Sequence, residues 1–493
     1  MASLWKSESS ELSTIASGSV QDVLEFLELE YAPEGKLIRW SVSNKRHPRN
    51  WTACRKRYDI GLSSVAEQAR GELGLEKTLS VFLFVSVYLL GQMVGGVIFP
   101  PYSEAFGRKK LYIISTGLFS GFCALSGAVS SPAGITVGRF FSGLVSAIPT
   151  IVVAGSIEDM FNSKDRTWLI FIWTLLANMG LTVGPVMSIF IIVHLRWNWV
   201  YYVAAAVTGL TTILLFGIRE SRPSLLLERE VEYARKQTGD VSLRALNPDH
   251  TPDLKTFVQV GLFRPVQLFF TEPIVFMVSS MSAFASALIY LFTEALPPIY
   301  ESMGFSTTLA CLSLLALGVG LPLGFLTRLR DHRMIARCEE KGVRPEPEQR
   351  IFGFCIAAPM LAGGLWWFTW TIPPAVTDVP WIVPTLALVF VGYAINEFDT
   401  VLAGYLADSY LSYAASGFAA LSIVRSLMSA AFPMVATKMF DGLGANRACL
   451  TLAILSTLFC AVPPLFTKYG KRIRTRSKFA RFSLKVYEEN GVN

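Results

Sequence analysis

Charge is scarce in this chain: Asp, Glu, Lys and Arg together make up 16% of 493 residues, against 52% hydrophobic residues. Soluble domains carry about 25% charged residues, and the mean hydropathy here is +0.44. An ordinary soluble protein is therefore excluded. Histidine is rarer still, with residues only at 47, 194, 250 and 332, all read as loop or tail positions. That argues against a membrane oxidase or desaturase, which needs clustered imidazoles around iron. The seven cysteines are scattered, odd in number and without a Cys-x-x-Cys pair. They read as small apolar fillers and not as disulfides or metal ligands. No Gly-x-x-x-x-Gly-Lys-Ser/Thr run occurs, so no built-in ATPase is expected. Residues 1–30 lack a basic start followed by an apolar core, so they are no signal peptide and read as a disordered Ser- and Glu-rich tail. No catalytic residue, metal or cofactor is expected, and an enzyme is disfavoured.

What is present is a series of long apolar runs. After Leu79, about eleven segments approach the roughly 20 residues that a spanning helix needs. They are 79–100, 111–130, 134–156, 168–193 and 198–218, then 273–293, 308–327, 351–370, 380–402, 414–437 and 447–466. Such runs are too long for barrel strands, so the expected class is an all-α polytopic membrane protein with the lipid bilayer as partner. The chain divides into a polar N-terminal tail (1–78), a first half (79–218), a central loop (219–271), a second half (272–467) and a basic tail (468–493).

The net charge of +7 does not point to nucleic acid, because Lys and Arg sit in alternate connections. They crowd Arg108-Lys109-Lys110, Lys164 and Arg166, the central loop, residues 328–350 and Lys468 to Arg481, while 294–307 and 371–380 have none. This bias puts the central loop and the C-terminus in the cytosol. The loop, with Arg222, Arg229, Arg235 and Lys236, reads either as an amphipathic helix on anionic lipid or as a plain linker. Trp168, Trp197, Trp199, Trp370 and Trp381 fall at predicted span ends and read as an interfacial belt.

One span is conspicuously lacking. The stretch from Tyr58 to Lys77 carries Asp59, Glu67, Arg70, Glu72, Glu76 and Lys77, and each charge at a helix centre costs about 2.5–3.5 kcal/mol. Without a helix there, residues before Leu79 fall opposite the C-terminus, against their own basic run at 45–57. A further span between Ile60 and Ser64 would remove the conflict.

Several motifs carry a resemblance. Glu104-Ala-Phe-Gly107-Arg108-Lys109-Lys110 resembles the acidic-x-x-Gly-Arg-Lys loop of the major facilitator superfamily. Arg139-Phe-Phe-Ser-Gly143 resembles its Arg-x-x-Gln-Gly motif, with Ser142 in place of Gln. Gly180-Leu-Thr-Val-Gly184-Pro185 resembles its antiporter motif, with Ser188-Ile189 where that motif closes on Gly-Gly. Asn50-Trp51, Arg219-Glu220-Ser221-Arg222-Pro223, Trp381-Ile-Val-Pro384 and Leu406-Ala-Asp408-Ser-Tyr410 are similar to stations of the fungal twelve-span drug:proton antiporter branch. The resemblance covers residues 47–475. It implies the major facilitator fold, two helical-bundle halves with the family's first helix missing. It also implies proton-coupled efflux of a small organic molecule (a drug, secondary metabolite or polyamine-like cation). The expected partners are that molecule and protons. The expected state is a monomer in the plasma membrane, with the vacuole or another internal membrane as alternatives. Rival readings are a transport-inactive truncated or mis-spliced relative and a membrane receptor or scaffold.

The candidate residues follow. Glu104, Gly107, Arg108 and Lys109 form either a state-dependent gating cluster or a basic turn that only fixes topology. Arg139, inside its span, needs a carboxylate, a carbonyl or water, and the resemblance implies proton coupling; the bland alternative is snorkelling. Gly180 and Gly184 allow close helix approach and Pro185 kinks the helix, so they read as a rocking joint or as plain packing. Asn178, just before them, faces the cavity or a neighbouring helix. In Tyr393-Ala-Ile-Asn396-Glu397-Phe-Asp399-Thr400, two intramembrane acids are functional by default. Asn396 and Asp399 share a face at i, i+3 while Glu397 points elsewhere. Glu397 and Asp399 are thus proton-coupling candidates, with Asn178, Asn396 and Arg425 in the substrate cavity. The competing reading is a structural ion pair of one acid with Arg425.

Eleven insertions predict that tags on the two termini lie on opposite sides of the membrane. Accessibility of N- and C-terminal tags to antibody in intact and permeabilised cells checks this, and two cytosolic tags would contradict it.

Overall fold

The computed structural model describes residues 29–31, 37–40, 77–160, 163–218, 220–238, 243–245, 263–341, 346–376, 378–410 and 413–482. The Tyr58–Glu76 stretch that bears on the absent span lies outside the described residues, as do Asn50, Trp51 and Arg219.

Helices occupy every predicted span. In the first half, α1 is a continuous rod made of Lys77–Val81, a π turn at Phe82–Ser86, and Val87–Phe106. It is followed by α2 (Arg108–Ala128), α3 (Pro132–Met160), α4 (Ser163–His194) and α5 (Asn198–Leu215). The central loop holds α6 (Pro223–Thr238) and ends in α7 (Arg264–Thr271). The second half begins with α8 (Pro273–Glu301). Next is α9, built from Thr307–Cys311, Leu314–Gly320, a 3-10 turn Leu321–Gly324 and Phe325–Glu340. α10 (Phe352–Thr371) follows a 3-10 turn at Pro347–Ile351. α11 joins Ile382–Glu397, a π turn Phe398–Leu402 and Ala403–Tyr410. The chain continues through α12 (Ala414–Leu443), α13 (Ala445–Phe459) and α14 (Val462–Arg476). Among the described residues, ten segments are long and apolar enough to cross a bilayer; the predicted 134–156 span is the 29-residue helix α3.

The halves repeat one packing scheme. In the first half α1 packs on α3 and α2 on α5; in the second, α9 packs on α11 and α10 on α13. The halves meet through α1 on α12 and α4 on α9, which is the same scheme once more. Glycines allow close backbone approaches in each half. A Cβ on Gly143 would sit on the Tyr88 carbonyl oxygen of α1, and one on Gly392 would sit on the Leu317 carbonyl oxygen of α9. Small residues are what allow backbones to meet in a membrane bundle. The second half owns one extensive core that includes Phe284, Leu317, Phe354, Leu388, Phe398 and Tyr405. The described first half has smaller clusters around Phe84 and Trp197, and around Tyr112 and Ile148.

The membrane bundle is all helical, and three short strands lie outside it: β1 (Leu29–Tyr31) runs antiparallel to β2 (Leu37–Trp40), which runs parallel to β3 (Arg244–Ala245). Several expectations are corrected. The amphipathic α6 buries Leu227, Val231 and Ala234 and packs against β2 and β3, so protein, not lipid, covers its apolar stripe. Trp197 is not part of an interfacial belt; it is buried against Phe84 and Tyr201. His332 and Arg328 are not loop residues, because α9 continues to Glu340.

Replacing Gly143 or Gly392 with Val is expected to lower the unfolding temperature in detergent by many degrees and to cut the yield of monodisperse protein several-fold. Ala at Gly363, where a Cβ meets nothing within 4 Å, should leave both unchanged.

Candidate functional site

The midpoint of α11 explains most of the site. Its π turn at Phe398–Leu402 takes in Asp399 and Thr400 of the polar run, and such single-turn π segments often mark functional sites. Asn396, Asp399 and Thr400 project toward the other half. Asp399 is only 4% exposed. Its Oδ1 accepts from Ser282 Oγ on α8 (2.9 Å) and from Arg425 Nη2 on α12 (2.6 Å). Its Oδ2 accepts from Asn178 Nδ2 on α4 (3.3 Å), which also approaches Asn396 Oδ1 (3.4 Å). Thr400 Oγ1 donates to Thr174 Oγ1 of α4 at 3.2 Å, and Asn396 Nδ2 donates to the Leu321 carbonyl at 3.3 Å. Arg425 Nη2 also donates to Ser282 Oγ (2.8 Å), and Arg425 keeps 35% of its side chain exposed. The structure thus brings Asn178, Asn396, Asp399 and Arg425 into one cluster spanning both halves. Ser282, Thr174 and Thr400 belong to it as well; single hydroxyls on apolar helices carry no signal in sequence.

Glu397 is not in that cluster. It is fully buried on another face of α11, where Thr327 Oγ1 donates to its Oε1 (2.7 Å) and Arg328 Nη2 to its Oε2 (2.8 Å). Arg328 Nη1 meets Asp331 at 2.7 Å. Sequence reasoning missed this triad because it assigned residues 328–350 to a loop; Arg328 and Asp331 at i, i+3 were the available signal.

Arg139 is also buried, in the first half. Its Nε donates to the Phe84 carbonyl at 2.9 Å, inside the π turn of α1, where the widened ladder leaves an acceptor. Its guanidinium carbon lies 4.4 Å from the Tyr88 ring centroid and 5.8 Å from that of Tyr201. Cation–π contact replaces the missing carboxylate.

Gly107 has φ 86° and forms the single-residue break between α1 and α2. The carboxylate that caps α2 is Glu220, which accepts from the Arg108 amide (2.8 Å) and the Lys109 amide (3.1 Å). Anionic capping of an N-terminus is favourable. Lys109 Nζ donates to the Phe216 carbonyl at 3.1 Å. The side chain of Glu104 lies outside the described residues. Gly184 and Pro185 are buried and Gly180 is partly so, within an unbroken α4. Ser188 Oγ donates to the Gly184 carbonyl at 2.9 Å.

Below the cluster, α4 meets the second half again. Trp168 Nε1 donates to His332 Nδ1 (3.1 Å), and Arg350 Nη2 to Thr167 Oγ1 (3.2 Å) while its Nη1 pairs with Asp408 (2.5 Å). No group of three or more His, Cys, Asp or Glu residues among those described could hold a metal.

Residues 61–433 match the family model described as Major Facilitator Superfamily. The chain is 33% identical to the multidrug transporter TPO1_2 of Candida glabrata over 81% of this chain and 69% of that protein. It is 31% identical to the efflux pump radE of Floropilus chiversii over 90% of this chain and 86% of that protein. Among solved structures, the proton:xylose symporter XylE superposes with a TM-score of 0.58 at 16% identity, covering 82% of this chain and 91% of that one; this is a likeness of fold.

Removing one partner of a buried ion pair costs about 3–5 kcal/mol. Arg328→Gln is therefore expected to lower stability in detergent by that order, and Arg328→Gln/Glu397→Gln to recover part of the loss. A double variant no more stable than the single one, in denaturant unfolding, would contradict the pairing.

Proposed function

The chain belongs to the Major Facilitator Superfamily, and we propose that it is a secondary active exporter of a small organic molecule, coupled to protons through Asp399. The observation that carries this reading is that one buried carboxylate accepts from both halves at once: Arg425 and Ser282 on its own side, Asn178 across the seam. Relatives named as efflux pumps and multidrug transporters support the direction.

The mechanism follows from the donor inventory. Ionised Asp399 is acceptor-only and satisfies three donors. Protonation removes its charge and turns one oxygen into a donor, so the bonds to Arg425 and Asn178 weaken together. The seam between α4 and α11 then loses its central tie, and the halves can rock. A substrate entering the same layer competes for Asn178, Asn396 and Arg425. Protein that moves charges between two arrangements biases alternating access in this way.

Each remaining candidate takes a role in this scheme. Glu397, locked to Arg328, keeps α9 and α11 moving as one body and supports coupling from within the second half. Arg139 does the same for α1 and α3. The Gly107 break with Arg108, Lys109 and Glu104 belongs to the moving cytosolic side, and the α4 segment Gly180–Pro185, past Asn178 and away from Trp168, acts as a joint on the outer side. Plasma-membrane residence and a monomeric state complete the proposal.

In proteoliposomes, a pH gradient should drive accumulation of a transported probe such as rhodamine 6G or an uncharged azole. Asp399→Asn should reduce gradient-driven accumulation at least tenfold while retaining probe counterflow at equal pH. Undiminished gradient-driven accumulation in Asp399→Asn would remove Asp399 from coupling, and failure of the unmodified protein to carry any member of a broad probe panel would remove the transporter reading.

A further inference from the structure

The described C-terminal segment is a strap, not a loose tail. Beyond the apolar part of α14, Lys471 Nζ meets Glu346 at 2.6 Å, and Arg474 Nε and Nη2 grip Glu348 at 2.8 and 2.7 Å. Then Ser477 Oγ donates to Glu272 Oε1 at 2.9 Å. Phe479 closes the strap edge-on against Tyr413, with ring centroids 5.3 Å apart. Glu272 is buried and opens α8, and its second oxygen accepts from the Tyr410 hydroxyl at the end of α11 (2.9 Å). The strap thus joins the ends of α8, α10, α11 and α12, the ends that the positive-inside bias puts in the cytosol.

Its anchors differ in strength. Lys471 and Glu346 are largely exposed, so their pair contributes little. The bond between Ser477 and Glu272 is buried, and Ser477 Oγ also caps the following turn by accepting from the Ala480 amide at 3.0 Å. A segment near the described C-terminal end, with one buried polar anchor, opens locally at low cost.

The sequence around that anchor has a pattern unrelated to transport. Arg472, Arg474 and Arg476 precede Ser477 by five, three and one residues. Arginines so spaced suit the acidic substrate groove of an arginine-directed Ser/Thr protein kinase, because guanidinium pairs with carboxylate in fixed fork geometry.

We propose that Ser477 is a phosphorylation site for a cytosolic arginine-directed kinase, and that its modification releases the strap from α8. In the transfer, Ser477 Oγ attacks the γ-phosphorus of Mg-ATP. The new P–Oγ bond forms as the bond from that phosphorus to the β–γ bridging oxygen breaks. ADP leaves, and the hydroxyl proton passes to the kinase's catalytic carboxylate. The product lacks the hydrogen that now bonds Glu272, and it brings a charge of about −1.5 to −2 against a buried carboxylate. Like charges and a lost donor act together there. The kinase meets Ser477 while the strap is lifted, and the phosphate then holds the lifted state.

The test uses the purified full chain with Mg-ATP and the catalytic subunit of an arginine-directed kinase. Mass spectrometry should place phosphate on Ser477, and chymotrypsin should then cut after Phe479 at least tenfold faster, an effect reversed by phosphatase. Ser477→Glu should reproduce the fast cleavage and Ser477→Ala should not, while Ser477→Glu/Glu272→Lys should regain protection by reversing the local charge. Phosphate only at other residues, or equal cleavage of Ser477→Glu and Ser477→Ala, would overturn the proposal. These readouts need no transported substrate, so they stand or fall separately from the exporter reading.

Discussion

A charge taken out of water into a bundle of apolar helices must be met by a partner, and this constraint organises the molecule. Breaking such a pair costs several kcal/mol even where forming it contributes little net stability. Arg139, Glu397 and Asp399 are buried in predicted spans and Arg328 in the part of α9 beyond its predicted span, and each is met from a different helix. The Phe84 carbonyl on α1 meets Arg139, Arg328 on α9 meets Glu397, and Arg425 on α12 meets Asp399. The charges therefore decide which helices cannot separate cheaply.

The partners sort by location. Among the described residues, the ion pairs in the bundle lie within the second half: Arg328 with Asp331 and Glu397, Arg350 with Asp408, and Arg425 with Asp399. Among the described residues, the polar contacts across the seam between α4 and the second half are hydrogen bonds. Asn178 reaches Asp399 at 3.3 Å, Thr400 reaches Thr174 at 3.2 Å, and Trp168 reaches His332 at 3.1 Å. Hydrogen bonds across membrane helices are worth about 0.6 kcal/mol on average. Strong ties within a half and weak ties between halves suit two bodies that rock against each other. Asp399 is the exception that links both kinds, tied to Arg425 within its half and to Asn178 across the seam.

The fold was legible for a plain reason: hydrophobic length acts locally along the chain, so spans can be counted. Parts of the site were legible too. The i, i+3 spacing of Asn396 and Asp399 already separates them from Glu397. Arg328, Thr327 and Ser282 were not legible, because an Arg after an apolar run reads as the start of a loop and a lone Ser reads as filler. Nor was Glu220 foreseen as the cap of α2, since 111 or more residues separate the partners. Trp197 shows the limit from the other side: an aromatic at a span end looks interfacial until Phe84 and Tyr201 cover it.

Residue order alone determined that this chain lives in a membrane as two sets of helices, because the cost of burying charge is set residue by residue. It also determined that two acids and an arginine stand inside the second set. Only the tertiary structure decided which acid faces which cation. Asp399 joins Arg425 and Asn178 while Glu397, two positions away, joins Arg328. The reason is geometric: successive residues of a helix point about 100° apart, and which neighbour waits in each direction depends on how the helices are packed.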